Sequence, residues 1–182
     1  MKFVSYLIWM ASAIFLLTLA GCASVPQPPV AQISINVQGD INPGKDGKAR
    51  PVTIRLYELK SDTAFNTTDY FSLVNNYKAA LDTEYLDSKK FQLLPKDKLK
   101  FDKPLHIDTR YVGVVSAFRD KYSKRLAVTA IPSKESKPEI YILLEGNEVM
   151  IGAKQPCGFI CQLWSPKPPA GTLYEIIENN TD

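Results

Sequence analysis

The stretch that decides the fold comprises residues 111–118, Tyr111-Val112-Gly113-Val114-Val115-Ser116-Ala117-Phe118. It is apolar at odd and even positions alike, so both of its faces must be buried if it forms a strand. The pattern therefore predicts a central strand of the core. A glycine inside a strand often marks a close approach by another group, and we expect this at Gly113.

Strand signals recur on both sides of this stretch. Residues 31–38 alternate between apolar and polar side chains, which predicts a half-buried strand. Residues 52–56 alternate in the same way, but Tyr57 and Leu59 face the other side, which predicts a bulge or a two-sided strand. Gly146-Asn147 is a hairpin signal. Further strands are predicted at residues 91–94, 126–131, 140–144, 148–151 and 172–177.

One segment has a helical period instead. Its apolar side chains recur every three or four residues, and Asn66 or Thr67 can cap it, with Asp69 in the first turn and Phe65 stapled onto the stripe. The stripe consists of Tyr70, Val74, Tyr77 and Leu81. The chain is therefore predicted to be mainly β, a β-sandwich of seven to eight strands with one inserted helical segment, spanning residues 31–182.

The N-terminus has the features of a secretory signal peptide over residues 1–21. A single basic residue, Lys2, precedes an apolar run that ends in Leu19, Ala20 and Gly21, directly before Cys22. This is the pattern of a bacterial lipobox, in which the cysteine thiol is acylated, with palmitate as a typical chain. A transmembrane anchor is the alternative, because residues 3–20 are uncharged and at the lower limit for a span. Against it, no basic stop-transfer cluster follows.

Residues 22–30 are predicted to form an acylated, proline-rich tether. Extended polyproline geometry of about 3 Å per residue would let the domain stand about 25 Å from the membrane. Sorting to the inner membrane typically uses Asp at the second position, which here is Ala23. The sequence therefore favours the periplasmic face of the outer membrane.

The other two cysteines, Cys157 and Cys161, form an even pair in an exported chain, where disulfides persist. A local disulfide that closes a small loop is favoured over two free thiols. The formal net charge of +3 on 182 residues is near neutral and gives no electrostatic reason to expect a nucleic-acid partner. The densest group of lysines, around residues 96–103, is interpreted as a solvated strand edge or loop.

Catalytic signals are few. The chain has one histidine, His106, and none of the common hydrolase, metal or phosphate-binding motifs. Asp108, Arg110, Arg119 and Asp120 border the central strand, either as a charged site or as ion pairs and turns at strand ends, which we favour. No catalytic residue, metal site or cofactor is predicted.

The region between the first two predicted strands, residues 39–51, is rich in Gly, Pro, Asn and Asp. It is too long for a tight hairpin, and long ordered loops in compact domains are often functional. We therefore mark it as a candidate functional loop.

Two blocks carry a family resemblance: residues 51–61, with Phe65 and residues 69–73 after them, and residues 110–120. In this order they resemble the TssJ lipoproteins of the bacterial type VI secretion system. Asn42-Pro43 and Gly47 fit as well. The chain departs from many family members in having Lys124-Arg125-Leu126 where they have a Trp-Arg pair.

The resemblance implies a transthyretin-like β-sandwich attached to the outer membrane. It also implies a structural role, in which the protein binds the periplasmic C-terminal region of TssM, an inner-membrane protein that works with TssL. The family contact surface is the loop between the first two strands, which corresponds here to Asp40, Ile41, Asn42, Pro43, Gly44, Lys45, Asp46, Gly47, Lys48, Ala49 and Arg50.

The sequence leaves two other classes of function open. A lipoprotein of this size can carry a small apolar ligand between its sheets, which requires a cavity where the densely apolar central strand predicts a filled core. An enzyme is the least favoured class, because the sequence offers no catalytic constellation.

Overall fold

The computed structural model describes residues 27–132 and 137–154, which form eight strands, three short α-helices and one 3-10 helix, Asp82–Glu84. The strands are β1 (Val30–Val37), β2 (Val52–Leu59), β3 (Tyr85–Leu93), β4 (Lys98–Pro104), β5 (Tyr111–Ser116), β6 (Leu126–Ala130), β7 (Glu139–Glu145) and β8 (Glu148–Ala153). The helices are α1 (Thr63–Thr67), α2 (Tyr70–Asn75) and α3 (Tyr77–Leu81).

Several sequence predictions lie outside the described residues. They are the signal peptide with its lipobox, Cys22 and most of the tether, the pair Cys157 and Cys161, and the strand at residues 172–177. These stay predictions.

The strands form two four-stranded sheets, in the orders β4-β1-β7-β8 and β3-β2-β5-β6. All neighbouring strands are antiparallel except β1 and β7, which pair in parallel from Gln32 opposite Glu139 to Val37 opposite Leu144. A parallel pair requires a long crossover, and here the second sheet provides it. The prediction of a mainly β sandwich is confirmed.

The core lies between the two sheets. Alternate side chains of β1 and β7, including Ile33 and Ile35, face alternate side chains of β2 and β5, and all of them are buried. Fully burying one such side chain contributes about 1.5–3 kcal/mol, so this layer is the main source of stability. The predicted strand β1 is confirmed, and the apolar side chains of its alternating pattern are the ones that face the core.

Residues 111–116 form β5, an inner strand of its sheet, as predicted. Its second face packs against the helices. A Cβ atom built on Gly113 would lie 2.8 Å from the ring of Phe65 in α1, so only glycine leaves room for that ring. The predicted close approach at Gly113 is therefore confirmed.

The single helix predicted over residues 66–81 is wrong, because the structure has three short helices. Asp69 lies before the first turn of α2 as its N-cap, and its carboxylate accepts hydrogen bonds from the backbone N–H groups of Phe71 and Ser72 at 2.9 and 3.1 Å. Leu73 and Leu81 are buried against the outer face of β2 and β5. Of the predicted stripe only Leu81 is buried, Tyr70, Val74 and Tyr77 are half-buried against the same cluster, and the buried Leu73 was not predicted. Polar side chains that compete for the backbone interrupt the helix.

The strand predicted at residues 91–94 is longer than expected. It begins at Tyr85, directly after the 3-10 helix Asp82–Glu84, and it pairs with β2 through a register shift at Glu58 and Leu59. This shift is the predicted irregularity in β2. Most residues of β3 are polar because it is an edge strand. A strand at the edge of a sheet carries polar side chains at many positions, so it lacks the apolar and polar alternation that marks a half-buried strand.

Candidate functional site

The two ends of the sandwich are occupied by different segments of the chain. At one end, which we call the tether end, the chain enters β1, and the backbone N–H of Leu105 donates to the carbonyl of Pro29 at 2.9 Å. At the other end, the loop end, β1 leads into residues 38–51. Eight residues of β1 separate the two ends by about 25 Å. The candidate loop therefore lies at the end remote from the tether.

The base of the candidate loop is part of the protein core. Ile41 is completely buried among the inter-sheet side chains, and Asn42 is 3% exposed. The backbone N–H of Arg50 donates to the carbonyl of Ile41 at 3.0 Å and closes the loop. Residues 43–50 thus project from a fixed base.

Asn42 joins three segments at the loop end. Its side-chain amide donates to the carbonyl of Pro51 at 2.8 Å, and its Oδ1 accepts the backbone N–H of Arg119 at 2.9 Å. Its backbone N–H donates to the carbonyl of Gly146, in the β7–β8 hairpin. The φ angle of 49° at Asn42 lies in the left-handed region, which asparagine tolerates better than most residues. Asn42 thus fixes the loop relative to its neighbours through its side-chain amide and its backbone N–H.

The tip of the loop is a compact turn. The N–H of Gly44 donates to the carbonyl of Lys48, and the N–H of Gly47 donates to that of Gly44, both at 2.9 Å. Asp46 accepts the backbone N–H of Lys48 and pairs with Arg50 at 2.9 Å, and these contacts hold the pKa of Asp46 below its ordinary value. Lys45 and Lys48 are exposed. The tip therefore presents excess positive charge on an ordered backbone.

A second loop, residues 117–125 between β5 and β6, lies beside the first. The guanidinium of Arg125 donates to the carbonyls of Phe118 and Asp120 at 3.1 and 2.8 Å and holds this loop closed. Tyr122 at its tip is 83% exposed. The loop end thus carries two ordered and exposed tips, of which sequence reasoning selected only the first.

The charged residues that border β5 do not form one site. Arg119 and Asp120 lie at the loop end, whereas His106, Asp108 and Arg110 lie at the tether end. His106 accepts the backbone N–H of Asp108 at 3.1 Å, which is a local turn contact. The interpretation as turns and ion pairs at strand ends is therefore the one the structure supports.

The tether end contains a buried carboxylate that sequence reasoning missed. Glu58 is 1% exposed and accepts hydrogen bonds from the Lys103 ammonium, from the backbone N–H of His106 at 2.8 Å and from the Thr109 hydroxyl at 2.9 Å. Lys103 also pairs with Asp87 at 2.9 Å. Lys103 belongs to one sheet and the two acids to the other, so this cluster joins the sheets. The sequence did carry a signal for this cluster, because the carboxylate of Glu58 stands between two apolar residues, Tyr57 and Leu59, of a predicted strand.

Three features of the described residues bear on ligand, metal and membrane binding. Buried side chains between the sheets form one continuous cluster, and two grooves that described residues line are on outer faces. Across residues 27–132 and 137–154, no three His, Cys, Asp or Glu side chains converge on a point where a metal could bind. Nor is any of the described helices long and apolar enough to cross a membrane.

Comparison with known proteins gives the family. The model of the type VI secretion lipoprotein family T6SS-SciN, which includes VasD, EvfM and TssJ, matches residues 29–147. This range contains the candidate loop and β5. The chain belongs to the TssJ family. A search of curated proteins by sequence gave no match.

Solved structures agree with this assignment. The type VI secretion lipoprotein TssJ1 from Pseudomonas aeruginosa is 31% identical, with a TM-score of 0.66 over 70% of this chain and 97% of that chain. Lip from Serratia marcescens, a membrane-bound component of the type VI secretion system, is 22% identical, with a TM-score of 0.63 over 69% and 98% of the two chains.

A chain in a structure of the C-terminal domain of the type VI protein TssM from EAEC shares the same fold. It is 22% identical, with a TM-score of 0.55 over 68% of this chain and 97% of that chain. The TssJ family is a structural component of type VI secretion. The matches show the family and the fold of this chain. Its partner protein and the membrane to which it attaches are proposed below.

Proposed function

We propose that this TssJ-family protein docks the periplasmic C-terminal region of TssM to the outer membrane, with TssL completing the membrane complex. Lipid on Cys22, after cleavage behind the lipobox of Leu19, Ala20 and Gly21, holds the tether end at the membrane. The loop of residues 40–50 contacts TssM at the opposite end. Three acyl chains would make the attachment effectively permanent, since one chain alone binds only marginally.

The observation that carries this proposal is the position of the loop. It lies about one strand length from the tether, and its tip is exposed and charged while Ile41 and Asn42 fix its base. A rigid loop loses little entropy on binding, so a modest interface suffices. Membrane attachment also raises the effective concentration of the partners.

The loop assignment is tested by charge reversal at the tip. The variant Lys45→Glu/Lys48→Glu changes two exposed side chains and preserves Ile41 and Asn42, which a shortened loop would disturb. We expect its affinity for the TssM C-terminal periplasmic domain of the same bacterium to fall by roughly tenfold or more in calorimetric titration, equivalent to about 1.4 kcal/mol.

The matched control is Lys60→Glu/Lys90→Glu, which reverses two exposed lysines away from the loop end. It should bind as the native chain does. Unchanged affinity of the tip variant would show that the loop does not contact TssM. Equal losses in both variants would attribute the effect to net charge and not to the loop.

The tethering step is tested by Cys22→Ser. Without its thiol the chain cannot be acylated, so we expect a folded, soluble periplasmic protein that binds TssM in vitro and fails to support secretion. Normal effector release by cells that carry this variant would contradict the tethering mechanism.

A further inference from the structure

The two sheets differ in what covers their outer faces. The helices bury the outer face of β3-β2-β5-β6, where Tyr57 donates its hydroxyl to the carbonyl of Leu73 at 2.6 Å. No described helix or strand packs on the outer face of β4-β1-β7-β8. The pairing register places Ser34 of β1 at the centre of this face, between Lys100 and Tyr141, and places Asn36 between Lys98 and Leu143.

Two side chains on this outer face are nevertheless buried. Leu143 is 1% exposed and Asn36 is 4% exposed. Side chains of neighbouring strands stand beside each other on a sheet face, so burial of this degree is typical of a face that has a cover. The Nδ2 atom of Asn36 has no hydrogen-bond partner among the described residues. A buried amide without an acceptor is costly, which calls for a polar group above it.

The same face carries a groove of about 500 Å³, and the described residues that line it include three lysines and one carboxylate. Lys98 and Lys100 of β4 line one side, and Lys154 lines the other. Glu139, the acid among the described lining residues, accepts the Tyr141 hydroxyl at 2.6 Å and lies 3.5 Å from the Lys154 ammonium. The groove therefore favours an occupant with negative charge and some apolar surface.

We propose that the C-terminal segment of this chain, residues 155–182, packs on this outer face. The chain reaches the groove by itself, because Lys154 follows β8, lines the groove and donates its backbone N–H to the carbonyl of Glu139 at 2.9 Å. The segment starts at the rim of the groove. Its 28 residues, if extended, are much longer than the width of a four-stranded sheet. It also lies beyond the family match, which ends at residue 147.

The composition of the segment fits the groove. Glu175, Glu178 and Asp182 outnumber Lys167, so the segment carries a formal charge of −2 before its terminal carboxylate is counted. Its apolar side chains can cover Leu143, and its carbonyl or amide oxygens can accept from Asn36. The charge and the exit point of the chain thus favour this segment over an unrelated ligand.

Trp164 provides a built-in reporter. The chain has two tryptophans, and the other one, Trp9, lies within the predicted signal peptide. In the mature chain with Cys22→Ser, we expect the emission of Trp164 to be blue-shifted and shielded from acrylamide. The variant Lys98→Glu/Lys100→Glu should red-shift this emission and remove most of the shielding. The control Lys60→Glu/Lys90→Glu should leave both unchanged.

Zero-length carbodiimide crosslinking tests the contact directly. We expect amide bonds from Lys98 or Lys100 to the acidic residues of the segment within one chain, identified by mass spectrometry on a mixture of isotopically labelled and unlabelled protein. Crosslinks only between labelled and unlabelled chains would overturn the proposal in favour of a second copy. So would the absence of such crosslinks together with a Trp164 as accessible as in the urea-unfolded chain. Neither result depends on TssM.

Discussion

At the tether end a buried carboxylate, Glu58, accepts hydrogen bonds from three donors. At the loop end a neutral residue, Asn42, joins three backbone segments, two through its side-chain amide and one through its backbone N–H. Both groups are almost fully buried, but their energetics differ. A buried charge is stable only while its partners are in place, and an amide tolerates a lost partner at lower cost. The tether end is thus held by a charged cluster that tolerates the loss of a partner poorly, and the loop end by a weaker neutral one.

The largest effect is expected from Glu58→Ala. Removal of the carboxylate leaves the Lys103 ammonium, which is 12% exposed, and the donors of His106 and Thr109 without their acceptor. Breaking a buried pair in this way costs roughly 3–5 kcal/mol in the free energy of unfolding, measured by urea titration. Affinity for TssM should be retained below the unfolding transition.

The double variant Glu58→Ala/Lys103→Met separates charge burial from packing. If the uncompensated ammonium causes the loss, the double variant should be more stable than Glu58→Ala alone. A double variant that is less stable than the single one would show that the cluster stabilises mainly by packing.

A smaller stability loss with a larger functional effect is expected from Asn42→Ala. The change removes two side-chain hydrogen bonds and places alanine at a φ of 49°, so it should cost about 1–3 kcal/mol. Because the loop loses its fixed base, affinity for TssM should fall as well. Asn42→Gly keeps the backbone angle accessible and should recover part of the stability but not the affinity. If Asn42→Ala binds TssM with native affinity, the proposal that Asn42 fixes the loop for binding is contradicted.

The smallest effect concerns pH. The N–H of Lys48 and then Arg50 lower the pKa of Asp46 below 3.8, so this contribution is complete above that pH and is lost as the pH falls through the lowered pKa. At the tether end, burial opposes the charge of Lys103, but Glu58 and Asp87 raise its pKa above 10.5. That contribution is complete below pH 10.5 and is lost as the pH rises through the raised pKa.

NMR titration checks both assignments. The amide proton of Lys48 should shift in acid, with a midpoint below pH 3.8, and stay constant from there to neutral pH. The amide proton of His106, which donates to Glu58, should respond when Lys103 loses its proton above pH 10.5. A Lys48 amide that titrates above pH 3.8 would contradict the contacts of Asp46.

Much of the fold follows from local patterns. Alternation predicts β1 and the first half of β2, two apolar faces predict β5 as an inner strand, and Gly146-Asn147 predicts the hairpin between β7 and β8. The patterns fail where long-range position matters. The edge strand β3 has no alternation to detect, and the helical segment breaks at Asp69, whose capping contacts compete with a continuous helix.

The candidate site divides in the same way. Turn residues and the family resemblance select residues 40–50, but neither distinguishes the buried base from the exposed tip. That distinction depends on Arg119 and Gly146, which lie far along the chain from Asn42. The Glu58 cluster escapes prediction for the same reason, because its donors come from a different strand and a different loop.

By itself, the sequence determined the class of the protein. Hydrophobic periodicity, turn residues and the order of two family blocks act over short distances, so they can be recognised without a structure. Only the tertiary structure decided that the tether and the candidate loop lie at opposite ends, and that a charged cluster secures one end and an amide the other. The reason is physical: burial and pairing belong to residues distant in sequence, and folding alone brings them together.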